Sequence, residues 1–138
     1  MKRSWLYPAI LTGMLLFSAN VSAQVVVVAN LGEKNTSMKK AEIRNLFMGG
    51  IGGQLDPVTL SPGIRERHMF NTLIVGLTES RIQSYWAQMR FSGRNHEPVE
   101  VESVEAMLRY LLENEGSVGY LPADFPVPRS LTVLYTTG

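Results

Sequence analysis

The chain has 138 residues, no cysteine, and 13 Lys and Arg against 12 Asp and Glu. Near neutrality leaves no electrostatic footprint for nucleic acid, and the lack of cysteine excludes disulfides, a thiol nucleophile and a lipid-modified N-terminal cysteine. This length supports one domain with one core and leaves no room for a second.

Lys2 and Arg3 precede an apolar run from Trp5 to Ala19 that ends in Val21-Ser22-Ala23. The run is shorter than the ~20 residues of a spanning helix and leads directly to small residues, so it reads as a signal peptide cleaved after Ala23. The mature domain is then expected to run from Gln24 to Gly138 in the periplasm, with no membrane anchor after cleavage.

Val25 to Val28 is a continuous β-branched run, the pattern of a strand buried on both faces, and it favours a sheet covered by helices. Asn30 to Asn35 is a polar loop, after which Thr36 or Ser37 is expected to cap a helix that buries Ile43, Leu46 and Phe47 and stops at Gly49-Gly50. No Gly-Lys-Ser/Thr follows the glycines of Gly49 to Gly53, so that stretch reads as a turn and not as a phosphate loop.

Pro57 to Leu60 reads as the end of a buried strand, Pro62-Gly63 breaks it, and Met69, Phe70, Leu73 and Ile74 recur at helical spacing. The first N–H groups of a helix lack partners within it and, with the helix dipole, favour anions. The candidate anion site is therefore Ser61, Gly63, Ile64, Arg65, Glu66 and Arg67. Backbone N–H groups of residues 64 to 66, the Ser61 hydroxyl and the Arg65 guanidinium would contact the anion. Arg67 would add positive charge, and Glu66 would oppose a dianion.

Gly76 is expected to end this helix and Thr78 to cap the next, in which Ile82, Tyr85, Trp86 and Met89 share one face. That face reads as core, although a Trp/Tyr pair also suits the wall of a ligand pocket. Ser92-Gly93 closes the helix, and a polar link from Arg94 to Pro98 follows. Ser103 then caps a helix with Val104, Met107, Leu108, Leu111 and Leu112 inward and Gly116 at its C-terminal turn. Val118 to Leu121 and Leu131 to Tyr135 read as strands around a proline-punctuated loop. The class is α/β, with about four strands and about four helices on both faces of one sheet.

The two histidines, His68 and His96, lie far apart in sequence, and Glu113 and Glu115 sit on a helix end where solvated charge is normal. No metal-ligand spacing, nucleophile elbow or dinucleotide fingerprint occurs, so no cofactor or metal is expected and the chain reads as a binding domain, not an enzyme.

The order of VVVVAN, KKAEIRNLFMGG, the strand-to-helix junction with Phe70, YWAQMRFSGR and NEGSVGYLP resembles the phosphate-binding proteins of bacterial ABC transporters. The likeness covers nearly all of the chain after the signal peptide. Its most specific parts are Ile43 to Gly49 and Gly116 to Tyr120. The resemblance implies one lobe of a type II periplasmic-binding-protein fold with about four mostly parallel strands, where the family has two lobes that enclose phosphate between them. The family's second-lobe motif is an arginine followed shortly by Ser-Gly-Thr before a phenylalanine. Here Leu60 stands at the arginine and Ile64-Arg65-Glu66 at Ser-Gly-Thr, counted back from Phe70. The resemblance implies a component related to phosphate uptake with a degenerate half-site for phosphate or another oxyanion, its cleft completed by self-association or by another envelope protein. An interaction or structural module that keeps the single-lobe fold is the alternative.

Overall fold

The computed structural model describes residues 24–138 except 33, 51–53 and 95, so the expected signal peptide and the last three residues of the expected turn Gly49 to Gly53 lie outside the described residues. In chain order the elements are β1 (Val25–Ala29), α1 (Lys40–Phe47), β2 (Asp56–Leu60), α2 (Arg65–Phe70), a π-helical turn (Asn71–Val75), α3 (Glu79–Phe91), β3 (Val99–Val101), α4 (Val104–Glu113), β4 (Ser117–Pro122) and β5 (Thr132–Thr136). The strands form one mixed sheet in the order β3-β2-β4-β1-β5. β2 runs parallel to both β3 and β4, while β1 runs antiparallel to both β4 and β5. Four strands therefore point one way and β1 alone is inverted, in an α/β fold.

Every residue of β1 is buried, as its unbroken apolar run requires of a strand with neighbours on both edges and helices on both faces. Alternation along β4 shows how the faces are covered. Tyr120 points to one side and stacks on Phe70 at the end of α2, with ring centroids 4.1 Å apart and planes 5° from parallel; Phe47 of α1 packs on the same cluster. Gly119 points to the other side, where a Cβ would come within 2.5 Å of Met107 Sδ and 3.3 Å of Leu111 on α4. A side chain there would force the Met107 and Leu111 side chains of α4, which pack directly on the strand, to shift.

Several expected boundaries are met. Thr78 accepts from Arg81 N–H (3.3 Å) at the start of α3, Ser103 accepts from Ala106 N–H (3.0 Å) at the start of α4, and Gly76 ends the π-helical turn in the left-handed conformation, φ +73°. Ile82 and Trp86 are buried as core, and Tyr85 donates to the Met48 carbonyl (2.7 Å).

Other expectations are corrected. Neither Thr36 nor Ser37 caps α1, because Met38 N–H pairs with the Leu134 carbonyl (3.1 Å) and keeps the chain extended to Lys39. The Glu42 side chain accepts from Lys39 N–H (3.0 Å) in place of a hydroxyl cap. Leu112 is 43% exposed, since α4 buries only the stripe through Met107 and Leu111. β3 is a fifth strand that the sequence reading passed over. It is a three-residue edge strand with one partner, Val99 is exposed, and no buried run announces it.

Candidate functional site

β2 is the strand around which the connections part. The segment after β2 leads through α2 and α3 to β3 on one side, whereas β3 leads through α4 to β4 on the other. Helices on opposite faces flank β2, and in parallel sheets such a point leaves a crevice beyond the carboxyl end of the strand. That end is Leu60, and the expected anion residues follow it directly.

The turn is held by β3. Ser61 donates both its N–H (2.9 Å) and its hydroxyl (3.2 Å) to the Val101 carbonyl. Gly63 takes φ +92° with nothing within 4 Å of where a Cβ would sit, so its role is the left-handed backbone and not close packing. Ile64 N–H bonds back to the Ser61 carbonyl (3.3 Å), and the Arg65 and Glu66 N–H groups open the first turn of α2, where no helical carbonyl precedes them.

An open groove of about 470 Å³ runs along this turn, walled by Gly63, Ile64, Arg65, Arg67 and His68 with Asn71 and Glu79. Four of the six expected residues thus share one surface. Ser61 is turned toward β3, Glu66 is half-buried, and neither forms a wall of the groove. Arg65 is exposed. Arg67 is 5% exposed and committed inward: Nη1 donates to the Leu60 carbonyl (2.8 Å) and Nη2 to Glu79 Oε2 (3.0 Å), with Glu100 at 3.8 Å. Arg67 Nε also lies 2.6 Å from Glu79 Oε1, a close ion contact whose N–H is not aligned for a hydrogen bond, so neither atom has an aligned partner. The charge of Arg67 is therefore balanced by Glu79, and among the described residues Arg65 takes part in no ion pair.

Sequence reasoning missed His68, Asn71 and Glu79 as walls of this groove. A signal for the inward turn was present, because Arg67, Phe70, Asn71 and Ile74 fall at i, i+3, i+4 and i+7 and all are buried. Two polar residues on a buried helical face imply a partner, and Glu79 is that partner, with Asn71 Nδ2 at 3.5 Å from Oε2.

A smaller cavity of about 60 Å³, enough for a few waters, shares Arg67 and Asn71 as walls and is otherwise lined by Phe47, Trp86, Glu97 and Glu100 among others. Its two further carboxylates make it the poorer place for an anion. Among the described residues no cluster of His, Asp or Glu is placed to hold a metal ion, and no helix is long and apolar enough to cross a membrane.

No protein-family model matches the chain, and no curated protein matches it. Solved structures do match by fold. An ABC-type phosphate transport receptor from Vibrio cholerae aligns over 81% of this chain and 46% of its own, with 18% identity and a TM-score of 0.57. A Clostridium perfringens structure described as a phosphate ABC transporter substrate-binding protein with bound phosphate aligns over 81% and 45%, with 13% identity and a TM-score of 0.59. PstS from Borrelia burgdorferi aligns over 81% and 47%, with 10% identity and a TM-score of 0.57. The chain spans about half the length of each of these structures, and its fold is similar to one lobe of a periplasmic binding protein.

Proposed function

We propose that this protein binds phosphate or a related oxyanion in the groove at the carboxyl end of β2, as a periplasmic component related to ABC-type phosphate uptake. The observation that carries this reading is the convergence at one place in the fold of the turn Ser61 to Gly63, the opening N–H groups of α2 and the exposed Arg65. The fold likeness to phosphate transport proteins supports the choice of ligand class. In this reading residues 1–23 are the export signal, Arg65 and the N–H groups at the start of α2 contact the anion, and Arg67 holds the turn in shape. The contribution is binding and not catalysis.

An open groove leaves an anion mostly hydrated and screened by salt, so affinity of the isolated chain is weak, on the order of millimolar. A covering partner, either a second copy or another envelope protein, would raise it by excluding water. Calorimetric titration with phosphate, sulfate and a neutral control tests the reading. Arg65→Ala weakens binding several-fold, because an exposed charge-assisted hydrogen bond contributes about 1 kcal/mol. Arg90→Ala serves as the control: Arg90 pairs with Glu97 and is not a wall of the groove. Equal affinity in the Arg65 and Arg90 variants would remove the site from this groove.

A further inference from the structure

The Arg67–Glu79 pair has the form of an anion site that already holds an anion. A guanidinium presents Nε–H and one Nη–H along a single edge, and two oxygens of a carboxylate or a phosphate match that edge equally well. In this fold the edge is aimed by the main chain, because the opposite nitrogen, Nη1, donates to the Leu60 carbonyl at the end of β2 (2.8 Å) and the side chain is almost wholly buried. The Glu79 carboxylate occupies the edge, with its two oxygens 2.6 Å from Nε and 3.0 Å from Nη2.

The two partners are held unequally. Arg67 is fixed by strand and helix, whereas the Glu79 side chain is 36% exposed and stands at the first residue of α3, three residues after Gly76. Glu79 is a wall of the groove described above and also of an adjoining one of about 530 Å³ that runs past Thr72 and Thr78. Its fit is incomplete, since Oε1 and Arg67 Nε lack hydrogen-bond alignment and Asn71 Nδ2 reaches Oε2 only at 3.5 Å. A tetrahedral oxyanion entering from the groove carries more oxygens than a carboxylate and can meet Nε–H, Nη2–H and the Asn71 amide together.

We propose that Glu79 is a built-in competitor: its carboxylate occupies the Arg67 edge of an oxyanion site, and an external oxyanion binds there by displacing it. This inference rests on the oxyanion-binding reading and adds a deeper contact than Arg65. A tethered carboxylate is present at high effective concentration, so the apparent affinity for a free anion falls by the fraction of time the edge is vacant. The weak affinity expected of this chain then has two sources, the openness of the groove and an occupant that must leave.

The test compares the wild-type protein with Glu79→Gln and with the double variant Glu79→Gln, Arg67→Met, in phosphate, sulfate and chloride at matched ionic strength, by calorimetry and thermal unfolding. Glu79→Gln is expected to melt below wild type in chloride, to recover saturably in phosphate or sulfate but not in chloride, and to bind phosphate about tenfold or more tightly than wild type. The double variant loses that response. Should Glu79→Gln fail to fold, Glu79→Asp takes its place, because its carboxylate ends one methylene short of the edge. Binding by the Glu79 variants no tighter than wild type overturns the inference, and if wild-type binding still depends on Arg65 the groove reading stands without it. A response in the Glu79 variants but none in wild type supports the inference and removes the groove reading for the resting chain. No response in any variant removes both.

Discussion

Tyr120 shows how one side chain ties the core to the site. Its hydroxyl is 2.8 Å from Thr59 Oγ1 and accepts from Leu60 N–H (3.0 Å), which fixes the end of β2 just before the turn Ser61 to Gly63. Burial pushes its pKa up from 10 to about 12, against the smaller opposing effects of the Thr59 and Leu60 hydrogen bonds. The unfolded chain would release this proton near pH 10 while the folded chain keeps it to about 12. Folded stability from this group is therefore complete below pH 10 and falls as pH rises from 10 to 12, by roughly 2–3 kcal/mol across that window. Urea denaturation at pH 8, 10 and 11.5 checks this, and Tyr120→Phe should lack the contribution from this group. That variant also leaves Leu60 N–H buried without its acceptor, at about 1–3 kcal/mol at neutral pH. At the same scale, Arg67 marks a limit of reading residues by type. Nothing in the word Arg separates it from Arg65, and only its place in the run Arg67, Phe70, Asn71, Ile74 shows that it faces inward.

Elements were legible where one local cause decides them. The valines of β1, the Ser103 and Thr78 caps and the stripe through Met107 and Leu111 each appear in the sequence and stand in the fold as read. Elements fixed by distant contacts were not legible. The start of α1 depends on Met38 pairing with Leu134, nearly a hundred residues away, and β3 exists because β2 offers it an edge. The π-helical turn, closed by Gly76 N–H on the Asn71 carbonyl (2.7 Å), has no sequence signature either. Two substitutions test the packing of elements. Trp86→Ala, at a side chain only 5% exposed that packs edge-on to Tyr85, should destabilise the domain by roughly 3–5 kcal/mol in chemical denaturation. A loss below about 1 kcal/mol would place Trp86 on a free surface instead. Gly119→Ala should destabilise by about 1–3 kcal/mol, because the buried Met107 and Leu111 side chains have to repack to admit a methyl group; an unchanged denaturation midpoint would contradict the packing of that layer.

For the whole molecule, a sheet with helices on both faces sets a groove at the carboxyl end of β2, and the chain spans about half the length of the solved structures that share its fold. The resemblance visible in the sequence led to the right fold. The candidate site was less legible because its make-up depends on side-chain direction: Ser61 turns to β3 and Arg67 to Glu79, while Arg65 faces solvent. The central claim is that this turn binds an oxyanion, and amide chemical shifts during a phosphate titration test it most directly. Shifts centred on Gly63 to Arg67, diminished by added salt and by Arg65→Ala, are the predicted result. No shift in that segment at millimolar phosphate, or shifts centred on another part of the sheet, would contradict it.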